Sequence, residues 1–124
     1  MIGHNAPLYP RSDQHGETSF LNVDWSVNYW IENGMNRNKI VLGLPAYGRS
    51  FRLFNSKSNQ LGSKALRSGT AGPFTKESGF LSYYEICDKL KKQGWKYEWN
   101  DEHQAPYAYN SKEWVIIYQF KRII

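Results

Sequence analysis

Apolar side chains recur at helical spacing from residue 22 onward, with Val23, Val27, Trp30 and Ile31 on one face of a 3.6-residue repeat. Asn22 stands as candidate N-cap, Asp24 falls in the first turn and Gly34 supplies a stop, so the pattern predicts a helix over 22–34. A polar loop, 35–38, then leads into Ile40-Val41-Leu42-Gly43-Leu44, closed by Pro45. That run predicts a strand over 39–44 buried on both faces. Helix, tight loop and doubly buried strand form the repeating unit of a parallel α/β sheet or barrel. A complete (β/α)8 barrel takes about 250 residues, and this chain has 124. If the unit belongs to a barrel, a chain of this length could supply only a fraction of one.

Beyond Ser50 the period shortens. Residues 50–54 read as a strand, 55–72 as a loop rich in Gly and Ser, and Phe80, Tyr83, Tyr84, Cys87 and Leu90 as the apolar side of a helix ending near Gly94. Strict alternation in Trp95-Lys96-Tyr97-Glu98-Trp99 predicts a strand, Asn100-Asp101 a turn, and 105–109 and 113–117 two further strands. The second half therefore reads as a small antiparallel α+β unit.

Composition alters this picture in one respect. Aromatic residues make up 16% of the chain, with five Trp and nine Tyr, which fits a packed small core or a surface that stacks on planar ligands. The helical and alternating periods of Trp25, Trp30, Trp95 and Trp99 favour packing for those four. The net charge of +5 raises anionic partners, but only Lys89, Lys91, Lys92 and Lys96 stand close together, at the end of the second helix, where cations are stabilised without any partner. Neither a nucleic-acid surface nor a membrane partner follows, and no segment approaches the ~20 apolar residues of a membrane span. Cys87 is the single cysteine, and His4, His15 and His103 show no metal-ligand spacing. With no phosphate-binding loop either, no cofactor is expected.

Strand ends carry the chemistry in barrel architectures. Pro45-Ala46-Tyr47-Gly48-Arg49 occupies that place, offering a ring face and hydroxyl, a sharp backbone turn and a fork of donors. The set suits a polyhydroxylated ligand, or equally a buried Tyr with an Arg paired to a nearby carboxylate.

Here the residues meet a known pattern. Gly3-His4-Asn5-Ala6-Pro7-Leu8-Tyr9, Asn22-Val23-Asp24-Trp25 and Gly43-Leu44-Pro45-Ala46-Tyr47-Gly48-Arg49-Ser50-Phe51 resemble successive segments of family 18 chitinases. Gly69-Thr70-Ala71-Gly72-Pro73-Phe74-Thr75, the run from Gly79 to Cys87, and Pro106-Tyr107-Ala108-Tyr109 are similar to that family's insertion domain. The resemblance implies a fragment of a (β/α)8 barrel over 1–49 with its sixth helix and seventh strand, an α+β insertion domain over 50–113, and over 114–124 the opening of the last barrel strand, at Trp114, followed by an atypical tail. It implies a wall of a cleft for chitin or N-acetylglucosamine oligomers, with Tyr47, Arg49 and Glu77 touching the sugar and Phe80 as an apolar wall residue. For Glu77 the residue pattern alone suggests instead a carboxylate favoured by a following helix start. The remainder of the barrel and a secreted location are implied only through the family.

Family 18 enzymes depend on a glutamic acid that protonates the leaving oxygen while the substrate's acetamido group attacks. The Asp-rich motif ending in that acid, and the Tyr-Asp pair of the sixth strand, are absent from these residues, so no catalytic residue is assigned and the chain alone is expected to be inactive. Asp101 and Glu102 are no replacement, because neighbours in an extended segment point to opposite faces. A fragment of a non-catalytic chitinase-like lectin fits the same residues. After Trp114-Val115 the sequence leaves the family pattern, and the cysteine that commonly pairs with the one matching Cys87 is not in the chain.

Overall fold

In the computed structural model, which describes residues 1–117, ten-residue helices α1 (Val23–Glu32) and α2 (Tyr83–Lys92) accompany strands β1 (Tyr47–Leu53), β2 (Ala65–Ser68), β3 (Phe80–Ser82), β4 (Lys96–Asn100), β5 (Ala105–Tyr109) and β6 (Glu113–Ile117). The strands form one antiparallel sheet in the order β2-β1-β6-β5-β4, with β3 pairing the first half of β1 on the edge that β2 takes in the second half.

Alternation along β5 and β6 sorts side chains to two faces. Tyr107, Tyr109, Trp114 and Ile116 join Ile2 and Leu53 in one core. Ala108, Val115 and Ile117 join Leu81, Ile86 and Trp95 in the other, beneath α2. Gly48 lets the layers close, since a Cβ there would stand 2.3 Å from the Ile116 carbonyl oxygen. Glu85 is buried at the N-terminus of α2 and accepts hydrogen bonds from the backbones of Phe74, Thr75 and Ser82 and the hydroxyls of Thr75 and Ser82. Burial alone would raise its carboxyl, but these donors overturn that and hold it at about 2.

An N-terminal arm seals the first face. Ile2 is buried, its backbone N donates to Ser63 O at 2.7 Å, and Gly62 N donates back to Ile2 O at 2.8 Å. Farther along, Val23 N donates to Pro7 O at 2.9 Å, which ties the arm to α1.

Several expectations are corrected. The helix expected over 22–34 spans Val23–Glu32, with Asn22 as N-cap accepting from Trp25 N at 2.8 Å. The strand expected over 39–44 is absent: Arg37–Lys39 makes a 3-10 turn, and 40–46 runs outside any ladder with Val41 92% exposed. β-Branched residues favour a strand, but a strand is held by a neighbour's N–H and C=O groups, and none lies beside 40–44 among the described residues. The expected loop over 55–72 contains β2, too short and polar to signal itself. Phe80 opens β3, and α2 starts three residues later. Where the opening of a last barrel strand was expected, Trp114 lies in β6, an antiparallel strand paired on both edges, and the division at 113/114 falls inside it. Residues 118–124 of the expected tail lie outside the described residues.

Among the described residues no helix is long and apolar enough to cross a membrane.

Candidate functional site

The site is built on the first turn of sheet at β1. Residues two apart on a strand share a face, so Tyr47 and Arg49 project together while Gly48 faces the core. The antiparallel register sets Phe80 of β3 directly opposite Arg49. Its ring lies 4.9 Å from that of Tyr47, tilted by 31°. The Arg49 guanidinium carbon stands 5.3 Å from the Phe80 centroid and 5.8 Å from the Tyr47 centroid, within cation–π range. From the loop before β3, Glu77 Oε1 reaches within 3.8 Å of Arg49 Nη1, with the two side chains 65% and 43% exposed.

The structure thus brings all four sequence-predicted residues, Tyr47, Arg49, Glu77 and Phe80, into one half-exposed cluster. Of the two readings that spacing left open, the second is met in part: Arg49 pairs with a nearby carboxylate, Glu77, but Tyr47 is only half-buried and both partners of the pair remain in contact with solvent. Chemically the cluster offers two ring faces, a fixed fork of donors and a carboxylate acceptor, the mixture that a sugar with apolar C–H faces, hydroxyls and an amide can engage.

Tyr47 also borders an open groove of about 570 Å³, shared with Asn5, Ala6, Val23 and the segment from Leu42 to Pro45. Sequence reasoning assigned no role to Asn5 and Ala6, because their place depends on how the arm folds back. A second groove of about 560 Å³ runs beside it between α1 and residues 40–42, lined mainly by apolar side chains, including Trp30. Trp30, expected to pack, is therefore exposed; Trp25 stacks between Phe20 and Tyr29 at 5.0 Å from each, and Trp95 is buried as expected. The Lys cluster behaves as a solvated helix end: Lys89 lies over the Trp95 ring and Lys92 pairs with Asp88.

Two further expectations from sequence are revised. Asp101 and Glu102 lie in a turn, where Glu102 accepts from Ser12 Oγ at 2.8 Å. His4 and His103, distant in sequence, are in contact. Among the described residues no group of three or more His, Cys, Asp or Glu could hold a metal ion, and Cys87 is half-buried and free.

Comparison with known proteins gives a consistent result. The family model described as "Glycosyl hydrolases family 18" matches residues 1–122. Probable chitinase 10 of Drosophila melanogaster is 47% identical over 115 residues, which are 91% of this chain and 5% of that protein. Human YKL-39, described as a pseudo-chitinase with retained chitooligosaccharide binding properties, superposes with a TM-score of 0.88 at 42% identity, covering 95% of this chain and 32% of that one. An immunomodulatory active chitinase from Trichuris suis does so with a TM-score of 0.90 at 37% identity, again covering 95% and 32%. The chain spans a third or less of each of these relatives.

Proposed function

The chain belongs to glycosyl hydrolases family 18, and from that premise we propose that it forms one wall of a cleft for N-acetylglucosamine oligomers, with Tyr47, Arg49, Glu77 and Phe80 in contact with the sugar. The observation that carries this reading is the convergence of those four side chains, from two paired strands and a loop, on one solvent-facing patch. Residues 1–49 are read as part of a (β/α)8 barrel that keeps its sixth helix, with 40–44 as the segment that becomes the seventh strand once the rest of the barrel pairs it, and 50–113, with the remainder of β6, as the chitinase insertion domain. The remainder of the barrel is the partner that covers the apolar groove beside α1. A secreted location follows from the same reading.

In the intact parent the reaction is hydrolysis of β-1,4 links between N-acetylglucosamine units, with a glutamic acid protonating the leaving oxygen and the substrate acetamido group as nucleophile. That acid has no counterpart in this chain. Here the residues bind and orient: the Tyr47 and Phe80 rings hold a sugar face, the Arg49 fork donates to its oxygens, and Glu77 accepts from an amide or hydroxyl while holding the fork in place. A non-catalytic chitinase-like lectin as the parent is the second reading. It is favoured by the match to a pseudo-chitinase that retains oligosaccharide binding.

Charge-assisted hydrogen bonds contribute about 1.5–3 kcal/mol each at best, and a millimolar dissociation constant corresponds to about 4 kcal/mol. One wall therefore binds at about the millimolar level. Calorimetric titration of the chain with the N-acetylglucosamine tetramer tests this. Weak saturable binding that Arg49→Leu abolishes, with no release of smaller sugars, is the expected result. Binding unchanged by Arg49→Leu and Glu77→Gln refutes the site, and sugar release by the purified chain refutes the assignment of no catalytic residue.

A further inference from the structure

The contact between His4 and His103 is made at the inner nitrogens, Nδ1 to Nδ1 at 2.7 Å, with the rings edge-on at 78°. The outer nitrogens face oxygens: His4 Nε2 lies 3.3 Å from Pro106 O, and His103 Nε2 lies 3.1 Å from Gln14 Oε1. Gln14 cannot present its amide nitrogen instead, because the same Oε1 accepts from the Arg11 backbone N at 2.8 Å. These partners dictate where hydrogens sit. The Pro106 carbonyl requires a hydrogen on His4 Nε2, which leaves His4 Nδ1 bare to accept from a hydrogen on His103 Nδ1. Two neutral rings satisfy the Pro106 bond and the inner bond, and set the bare His103 Nε2 against the Gln14 oxygen. A first added proton, on His103 Nε2, completes the bond to Gln14. A second can only go to His4 Nδ1, where it meets the hydrogen already there and destroys the inner bond.

We propose that His4 and His103 form an acid-labile clasp that fastens the N-terminal arm to the β4–β5 turn, opened by the second proton as pH falls. The surroundings suit a clasp that stays closed near neutrality. From the arm, Arg11 and Asp13 face the pair, and from the turn, Glu102. Arg11 pairs with Asp13 and lies 3.9 Å from Glu102. On the β5 and β6 side the Tyr107 and Trp114 rings wall His4, each 6.1 Å away. Burial first, then the charge of His103, holds His4 down to about 4, against the pull of the Pro106 carbonyl. Burial and Arg11 lower His103 as well, opposed by Asp13 and Glu102.

The sign follows from proton counts. A released arm carries ordinary imidazoles, near 6.5, and so binds more protons than the closed clasp as pH falls from there to about 4. Closure is complete above that window and is lost through it, by at most about tenfold per pH unit for one proton taken up. Ile2 sits two residues before the clasp and fills the first core, and Asn5 and Ala6 follow it as the wall of the groove beside Tyr47. Opening in acid therefore uncovers one core and loosens that groove together.

The test follows the imidazole nitrogens by NMR in the full chain between about pH 7.5 and 3.5, with amide exchange at Gly62, whose N–H bonds Ile2 O, and at Val115 in the central strand. The expected result is a His4 midpoint more than a unit below the free value, with Gly62 losing protection about tenfold per pH unit while Val115 keeps its own. His4→Gln, which has no proton to gain at that position, should flatten the dependence of Gly62 protection on pH in that range, leaving only the contribution of His103. A His4 midpoint near the ordinary ~6.5, simultaneous loss of protection at Gly62 and Val115, or an unchanged acid response in His4→Gln would each overturn the clasp.

Discussion

Two apolar runs in this chain have opposite fates. Trp114-Val115-Ile116-Ile117 is buried on both faces and paired on both edges, by β1 and β5. Ile40-Val41-Leu42 has a comparable β-branched character, yet it pairs with nothing among the described residues and leaves Val41 almost fully exposed. Composition does not separate them. The difference is that 47–117 carries its own neighbouring strands and its own covering helix, whereas 23–46 presents one helix and one extended segment whose apolar sides face a groove. Hydrophobic sequence says that a segment wants cover; topology decides whether the cover is at hand.

The sharpest way to break that comparison is to disrupt an apolar side chain in each region. Trp114→Ala, in the sealed core, is expected to cost about 3–5 kcal/mol, read as a large drop in the urea midpoint. Glu85→Gln comes next. The folded carboxyl sits at about 2 against an ordinary 4.5, so the folded state holds fewer protons between those values. The stability it contributes is present above about pH 4.5 and is lost as pH falls towards 2. In Glu85→Gln that acid dependence should flatten and stability near neutrality should fall. An unaltered acid profile would mean that the five hydrogen bonds at Glu85 do not anchor α2. Glu77→Ala, which removes only an exposed ion pair, should change stability by under about 1 kcal/mol while weakening sugar binding. Smallest of all, Val41→Asp should change stability, measured by urea unfolding, by no more than about 0.5 kcal/mol. A large loss there would show that 40–44 is held more firmly than its exposure implies.

How much of this could be read from the sequence varies with the locality of the signal. Helix α1 announces itself through Asn22, the apolar spacing and Gly34, all within one window, and β4 through strict alternation. Local signals also overreach: 39–44 has the residues of a strand but none of the hydrogen-bonding neighbours. β2 underreaches, because Ala65-Leu66-Arg67-Ser68 has little strand character and pairs only because β1 supplies an edge. The four site residues were legible because the motif resemblance placed each in turn, although only the β1–β3 register explains why Arg49 meets Phe80. His4 and His103 were not legible at all. Ninety-nine residues separate them, and their contact exists only after the arm folds back across the sheet.

The most direct test of the account is a nitrogen–proton correlation spectrum of the full chain, recorded without and then with the N-acetylglucosamine tetramer. The account predicts a dispersed spectrum for 47–117 and sugar-induced shifts concentrated at Tyr47, Arg49, Glu77 and Phe80. Shifts centred instead on the apolar groove at α1 and residues 40–42, or a dispersed spectrum that ignores the sugar, would contradict it.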